Sequence, residues 1–425
     1  MIGVLFLSLF GLIIIGAPIA IALGGSSMLW IYLTGSVPPF AVIHRMVNGL
    51  DSFPLLAVPF FILAGNLMNS AGLTNHIFDF AKAVIGWLPG GLGHVNIGAS
   101  IIFSGMSGAA VADAGGLGTI EIKAMNDAGY DLDFSVAVTA SSATIGPIIP
   151  PSLPMVIYGV MASASIGQLF IAGFIPGLLM GASLMIMVAI YSHRRHYPRD
   201  ASFSIRNLFR TFIHGFPSLM TPVIIIGGIA SGIFTPTEAA IGAVVYALFL
   251  GLVVYRSISL RKFMLVSMET VETTAIIMLI VAGASIFAWI LTENQVTEKF
   301  AGLILGMTRN RVMVLLLINI ILFIVGFFME TIAAITILVP VLVPVAAEVG
   351  VDPVHFGVIM VLNLMIGLLT PPVGMVLYVL SRVAKLSFER CAAATFPFLI
   401  PLVIVLFLVT YIPPLSMWLP TYLFR

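Results

Sequence analysis

Four prolines lie close together inside an apolar stretch that is long enough to cross a lipid bilayer. They are Pro147, Pro150, Pro151 and Pro154. A proline removes a backbone N–H donor and its ring clashes with the preceding turn, so no helix runs unbroken through such a stretch. In hydrocarbon an unsatisfied backbone polar group is very costly, and a break at membrane depth survives only where it faces protein, water or a ligand. The sequence therefore predicts a broken helix over about residues 134–158, with an unwound joint inside it.

A second apolar stretch, over about residues 356–380, repeats this arrangement. Its Gly367, Pro371 and Pro372 follow Gly146, Pro150 and Pro151 by 221 residues. Other residues recur at nearly the same offset: Pro18 with Pro236 at 218, and Asp131 with Asp352 at 221. Such a repeat predicts two halves related by a pseudo-two-fold axis, and interrupted helices at corresponding places in the halves indicate the binding site of a secondary transporter. The halves are inverted if each crosses the membrane an odd number of times.

The composition places the chain in a membrane. Only 8% of the 425 residues are charged and 60% are hydrophobic, whereas soluble domains carry about 25% charged residues. A spanning helix needs about 20 apolar residues. Candidate spans lie near 3–23 (interrupted at 16–18), 54–71, 134–158, 168–191, 217–234, 238–255, 264–291, 312–328, 356–380 and 395–419. The sequence therefore predicts an all-α, polytopic membrane protein.

Several functional classes find no support in the residues. The single cysteine, Cys391, excludes internal disulfides and a cysteine metal cluster. A net charge of +1 gives no indication of nucleic-acid binding. No nucleophile–base arrangement or metal motif stands out, so an enzyme with catalytic residues is not expected.

Two helical hairpins are predicted next to the broken helices. The first, over about 95–123, has small residues at its tip near Ser104–Gly108 and carries Asp113, an ionisable residue at membrane depth. A tightly packed face of small residues is the alternative interpretation. The second hairpin, over about 326–347, has its tip at Glu330–Thr331, although Glu330 alone could also be a surface residue. The charged stretch 121–133 is expected to return to the surface.

A joint between half-helices exposes the chemistry needed to bind ions. Free carbonyls end the first half-helix and free N–H groups with a positive dipole begin the second. Carbonyl and hydroxyl oxygens suit Na⁺, and N–H groups suit a carboxylate. The first predicted sodium site comprises Ser104, Ser107, Gly108, Thr144, Gly146 and Pro150, and the second comprises Gly326, Glu330, Thr331, Gly367, Thr370 and Pro371.

An organic anion is expected to bind between the two cations. The residues predicted to contact it are Ser107, Ser152, Asn66, Thr331 and Thr370. For Asn66, a hydrogen bond between helices is the alternative interpretation, because amides commonly serve that purpose in membranes.

A basic connector, residues 192–214, separates the two predicted repeats, 1–191 and 215–425. It holds five arginines against one acid, which places it in the cytoplasm by the positive-inside rule. A second basic turn holds Arg256, Arg261 and Lys262 on the same side, because two spans separate the turns. The connector is expected to be a tether that tolerates insertions.

Four motifs carry a resemblance to a known family over nearly the whole chain. They are Ser107-Gly-Ala-Ala-Val-Ala-Asp113, Pro147-Ile-Ile-Pro-Pro-Ser152, Phe234-Thr-Pro-Thr-Glu-Ala239 and Leu369-Thr-Pro-Pro-Val-Gly374. The chain resembles the large membrane subunit (DctM type) of a tripartite ATP-independent periplasmic (TRAP) transporter. The resemblance implies an elevator-type fold with scaffold and transport domains and sodium coupling, in the bacterial inner membrane. It also implies a small four-helix membrane subunit as a separate chain, and a periplasmic binding protein that delivers an organic acid such as a C4-dicarboxylate, a sugar acid or a sialic acid.

Two other functions remain open at this point. A stand-alone sodium:dicarboxylate symporter would share the hairpins and joints but need no delivery protein. An ion channel is the least favoured, because the sequence has no repeated acidic ring or filter signature.

Overall fold

The computed structural model describes residues 2–35, 37–38 and 40–424, apart from the side chain of Ser107. All the regular elements in these ranges are helices. They are α1 (Ile2–Ile14), α2 (Ile19–Thr34), α3 (Phe40–Leu50), α4 (Ala57–Ser70), α5 (Leu73–Ile85), α6 (Gly91–Ser107), α7 (Ala110–Gly115), α8 (Leu117–Asp127), α9 (Leu132–Ala143), α10 (Leu153–Met161), α11 (Ile166–Arg195), α12 (Ile205–Ala230), α13 (Pro236–Phe249), α14 (Leu260–Glu293), α15 (Val296–Met307), α16 (Arg311–Phe328), α17 (Thr331–Glu348), α18 (Pro353–Gly367), α19 (Met375–Ala384), α20 (Phe388–Tyr411) and α21 (Pro414–Leu423). A 3₁₀ turn, Phe53–Leu56, leads into α4, and a π-helical turn, Leu250–Val254, extends α13.

Eight of the helices in the described ranges are long and apolar enough to cross a membrane. They are Phe53–Ser70, Ile166–Arg195, Ile205–Ala230, Pro236–Val254, Leu260–Glu293, Arg311–Phe328, Thr331–Glu348 and Phe388–Tyr411. Many large apolar side chains on their outer faces are exposed, as a lipid-facing surface requires. The predicted multi-pass, all-helical membrane fold is confirmed.

The predicted span over residues 3–23 is in fact two helices. α1 ends at Ile14, Gly16 takes a left-handed conformation with φ of +85°, and α2 begins after Pro18. A Cβ atom on Gly25 would lie 3.5 Å from the Leu12 side chain, so α2 packs back against α1. The interruption at 16–18 therefore reverses the chain.

Helices that correspond in the sequence repeat make reciprocal contacts between the two halves. The 218-residue offset relates α2 to α13 and α4 to α14. In the structure α2 packs on α14, and α4 packs on α13. The half-helices behave in the same way, since α10 packs on α17 and α19 packs on α7. This reciprocal packing is what a pseudo-two-fold axis between the halves produces.

The helices divide into two groups by their contacts. We call α1–α5 with α12–α15 the frame, and α6–α11 with α16–α21 the hairpin body. Within the frame α14 packs on α2, α3 and α4, whereas within the hairpin body α9 packs on α20 and α16 on α18. Contacts between the groups are mainly those of α5 with α6 and of α14 and α15 with α17.

Candidate functional site

The first predicted joint is present. α9 ends at Ala143 and α10 begins at Leu153, so residues 144–152 leave the helix. All nine of these residues are buried, and the Pro150–Pro151 peptide bond is cis. The broken helix predicted over 134–158 is confirmed, with its halves extending to 132 and 161.

The tip between α6 and α7 is docked on this joint. The carbonyl of Gly108 accepts a hydrogen bond from the Leu153 N–H at 3.3 Å. Gly108 has φ of +67°, and a Cβ atom there would lie 2.5 Å from the carbonyl oxygen of Pro151. Only glycine combines this dihedral with so close an approach. Residues 108 and 151–153 therefore form one continuous backbone surface.

Asp113 reaches the same joint from α7. Its side chain is 2% exposed, and a Cβ atom on Gly146 would lie 2.1 Å from its Oδ2 atom. A glycine at 146 thus lets a carboxylate lie against the backbone of the joint. Asp113, which the sequence indicates as an ionisable residue at membrane depth, therefore lies at the first predicted sodium site.

The second joint has the same construction. α18 ends at Gly367 and α19 begins at Met375, which confirms the break predicted within 356–380. The carbonyl of Phe327 at the end of α16 accepts a hydrogen bond from the Val373 N–H at 3.2 Å. A Cβ atom on Gly367 would lie 2.8 Å from the backbone of Gly326. As in the first half, a glycine contact and one main-chain hydrogen bond join the tip to the joint.

Each hairpin is also fastened to its broken helix by a buried polar pair that the sequence analysis missed. In the first half Ser142 Oγ donates to Asn96 Oδ1 at 2.6 Å. In the second half Asn363 Nδ2 donates to Asn319 Oδ1 at 2.7 Å. Ser142 and Asn363 are 221 residues apart, so the two pairs occupy corresponding places in the repeats, but the offset alone identifies neither partner.

The predicted hydroxyl ligands are arranged in a way that suits a cation. Ser104 and Thr144 donate their protons to carbonyls of their own chain segments, Ile101 and Ser141, and Thr370 donates to Ile366. A hydroxyl that gives its proton to a carbonyl keeps lone pairs for another partner. Thr331 Oγ1 is buried and has no hydrogen-bond partner among the residues described. The side chain of Ser107 lies outside the description, and only its backbone, which ends α6, is placed.

Two of the predicted site residues have structural tasks that spacing did not predict. Glu330 is the N-cap of α17, and its Oε2 accepts the N–H groups of Ile332 and Ala333 at 2.8 and 3.1 Å. Ser152 is the N-cap of α10; its Oγ accepts the Met155 N–H at 3.2 Å and donates to Pro147. Ser152 thus fixes the start of α10 beside the first joint, and Glu330 fixes the start of α17 at the tip of the second hairpin.

Asn66 lies where the frame meets the first hairpin tip. A cavity of about 140 Å³ is lined by Ile62, Gly65, Asn66, Asn69, Phe103, Ala109, Ala112, Leu153 and Thr273. Asn66 Nδ2 also donates to Thr270 Oγ1 at 3.2 Å, so the hydrogen bond between helices that was weighed as the alternative is present. The structure thus places Asn66 and Leu153, the first residue of α10, around the same cavity.

The basic connector is docked on the hairpin body. Leu92 N–H donates to Asp200 Oδ2 at 2.8 Å, and Tyr130 donates to the same oxygen. Arg195 forms an ion pair with Asp131 at 2.6 Å. The hydrogen bond from Tyr197, together with Arg195, holds the pKa of Asp131 below its usual range. These contacts fasten residues 195–200 to both ends of the first hairpin, and the tolerance of the connector to insertions stays a prediction.

We expect Asp200→Ala to loosen this attachment. It removes the acceptor of two hydrogen bonds, and a hydrogen bond to a charged group contributes about 1.5–3 kcal/mol. The apparent unfolding temperature of the purified protein should fall by several degrees. Asp127→Ala is the control, because Asp127 is exposed and forms no ion pair among the described residues. An unchanged unfolding temperature in Asp200→Ala would mean that the connector is not fastened there.

Hydrogen bonds also show which parts of the chain lie beside the ends of the two hairpins. Gly90 N–H donates to Pro198 at 2.9 Å before α6, and Tyr130 donates to Asp200 after α8, so both ends of the first hairpin meet the connector. In the structure the second hairpin comprises α16 and α17, so it begins earlier than the predicted residue 326. Tyr411 donates to Val312 at 3.3 Å, which places the start of α16 near the far end of α20. The first turn of α20 is ion-paired to the first turn of α9 through Arg390 and Asp133.

The chain matches the family model for the tripartite ATP-independent periplasmic transporter, DctM component, over residues 6–415. It is 50% identical over 410 residues to the sialic acid TRAP transporter large permease protein SiaM of Vibrio cholerae, covering 96% of each chain. It is 40% identical over 404 residues to the C4-dicarboxylate TRAP transporter large permease protein DctM of Pseudomonas aeruginosa, covering 95% of this chain and 94% of that one.

A solved structure shares the fold. The YdaH transporter of Alcanivorax borkumensis superposes with a TM-score of 0.60 at 15% sequence identity, covering 88% of each chain. The SiaM and DctM relatives are large permease proteins, and this chain is a multi-pass protein of the inner membrane. This chain belongs to the DctM family of TRAP transporter large permease subunits.

Proposed function

We propose that this subunit couples the entry of Na⁺ to the import of an organic acid by an elevator movement of the hairpin body against the frame. The observation that carries the proposal is the docking of each hairpin tip on the joint of its own repeat. Gly108 bonds to Leu153 in the first half, and Phe327 bonds to Val373 in the second. In both places main-chain groups released from a helix lie beside hydroxyl side chains.

The donor sets fit sodium as a co-transported ion. At the first site Thr144 follows the end of α9 and the Asp113 carboxylate packs on Gly146, and Ser104 lies in the last turn of α6 before the docked tip. At the second site the carbonyls that end α18 lie near Thr370, with Thr331 following the docked tip. Hard oxygen donors of this kind suit small hard cations. Two bound cations and the positive ends of α10 and α19 would draw a carboxylate into the space between them.

Both hairpins are inferred to be re-entrant. The two ends of the first hairpin meet the cytoplasmic connector, and the ends of the second lie at the far ends of α10 and α20. The two tips would then approach the middle of the membrane from opposite sides. This is the arrangement that an inverted repeat produces.

The two joints differ in their access, which supports an alternating-access cycle. Residues 144–152 are all buried, whereas Pro371 and Pro372 are exposed. Sites with equivalent construction but unequal exposure are expected when a body carrying both sites lies closer to one side of the frame. A rigid-body movement would reverse this inequality.

The substrate is proposed as a carboxylic acid, because dipole ends, hydroxyls and cations are the groups available at the joints. The curated relatives named above transport a sialic acid and C4-dicarboxylates, so acids of both classes are the first to test. The partners proposed are a small membrane subunit and a periplasmic substrate-binding protein, as the tripartite family description implies.

The test is uptake into proteoliposomes that hold the purified complex, with the cognate binding protein outside. We expect saturable uptake that needs an inward sodium gradient and the binding protein. Uptake without the binding protein would favour the stand-alone symporter, and a non-saturable sodium current would favour a channel. Uptake that is indifferent to sodium would contradict the proposed coupling.

A further inference from the structure

We propose that the first turns of α12 hold the phosphate of an anionic phospholipid in the cytoplasmic leaflet. A surface groove of about 580 Å³ runs along this part of the helix. It is lined by Ser204, Arg206, Asn207, Phe209, Arg210, Ile213 and His214. Nothing in the transport site described above uses these residues.

Charge is the first argument for this occupant. Arg206 and Arg210 are exposed and lie one helical turn apart, so their guanidinium groups share a face. Neither is in an ion pair within the described part of the chain. Two unpaired guanidinium groups on one face fit a phosphate, which they can bind through paired N–H donors.

The neighbouring apolar side chains identify the phosphate as that of a lipid. Phe209 is 65% exposed and Ile213 is 55% exposed, and both line the groove beside the arginines. Gly215, on the opposite side of α12, packs against α5. A free phosphate would leave the apolar side chains in water, whereas a phospholipid presents a headgroup to the arginines and acyl chains to Phe209 and Ile213.

The groove lies at the point in the chain where the hairpin body is connected to the frame. Asp200 and Arg195 are bonded to the hairpin body, whereas Ala201 N–H donates to the Gly86 carbonyl at the end of α5 in the frame. The chain therefore passes from the hairpin body to the frame at about residue 201, shortly before Arg206. A lipid bound there would anchor the frame side of this crossing while the hairpin body moves, a consequence that rests on the proposed elevator function.

Native mass spectrometry of the purified complex, titrated with phosphatidylglycerol, tests the binding without relying on transport. Each cytoplasmic arginine near a membrane surface contributes about 1 kcal/mol toward anionic lipid, so Arg206→Gln with Arg210→Gln should weaken binding roughly thirtyfold. The matched control is Arg256→Gln with Arg261→Gln, which removes two exposed arginines of the other basic turn and should leave tight binding unchanged. The double Lys variant, which keeps the charges, should retain part of the affinity.

Two results would contradict the proposed lipid site. Equal phosphatidylglycerol binding by the double Gln variant and the wild type would do so, as would displacement by millimolar inorganic phosphate. Binding by the purified large subunit alone that is absent from the complex with the small membrane subunit would show that a protein covers this face instead. Correct elution and an unchanged unfolding temperature of the double Gln variant establish that any loss is not due to misfolding. Failure of transport with intact lipid binding would contradict the proposed function and leave the lipid site standing.

Discussion

Gly367→Ala should reduce uptake by about 100-fold while the protein still folds and inserts. The added Cβ atom would lie 2.8 Å from the backbone of Gly326, a distance that real Cβ contacts essentially never show. All three nearest atoms belong to the main chain of Gly326, so the second hairpin tip must move away from the joint. A displacement near 1 Å in a positioned site costs on the order of 100-fold in rate.

The matched control is Gly302→Ala in α15, where an added Cβ atom meets nothing within 4 Å. Initial uptake rates in proteoliposomes, normalised to the amount of inserted protein, are the measurement. Wild-type rates in Gly367→Ala would show that the tip and the joint need not touch during transport. Loss of expression in Gly367→Ala but not in Gly302→Ala would point to a folding role, and a thermal unfolding scan separates the two explanations.

Thr331→Val should raise the sodium concentration needed for half-maximal uptake by about 10- to 100-fold. The change keeps the shape of a β-branched side chain and removes one oxygen, Oγ1, which is buried without a hydrogen-bond partner in the described ranges. A polar contact to a charged partner contributes about 1.5–3 kcal/mol, and each 1.4 kcal/mol is a factor of ten. The sodium dependence should change more than the maximal rate.

Thr336→Val is the control for this experiment. Thr336 lies on the same helix, α17, is equally buried, and donates to the Ala333 carbonyl within the helix. Its substitution should leave sodium activation unchanged. An equal sodium response in all three proteins would remove Thr331 from the second cation site, whereas an equal shift in both variants would indicate a general loosening of α17.

The breaks in the two helices were predictable because proline and glycine act locally. Pro150 and Pro371 remove donors whatever surrounds them, and the 221-residue offset between them shows that the two breaks correspond. The family motifs added the transporter class. The prediction of the breaks depends on residue types whose backbone effect is independent of tertiary packing.

Side-chain partners across the fold could not be predicted in this way. Glu121 stands in a charged stretch that was expected to return to the surface, yet it is fully buried. Its burial results from the packing of α8 on α9, which the sequence of α8 alone does not reveal. For the same reason the Asn319–Asn363 pair and the docking of Asp200 on α6 were missed, because each joins segments distant in the chain.

The roles of Glu330 and Asn66 illustrate a further limit. Both residues were predicted at the site, Glu330 at the tip of the second hairpin and Asn66 inside a spanning helix. Only the geometry shows that Glu330 uses one oxygen to cap α17 and that Asn66 bonds to Thr270. Their part in binding sodium or substrate stays a prediction that variants of each residue can test.

A cryo-electron microscopy structure of the purified complex, determined once in sodium and once in potassium, tests the central claim most directly. In sodium we expect compact density bounded by carbonyl and hydroxyl oxygens at both junctions, between residue 108 and the joint 144–152, and between residues 326–331 and 367–373. That density should be lost or weakened in potassium. Identical maps in the two salts, with no ion at either junction, would contradict the account.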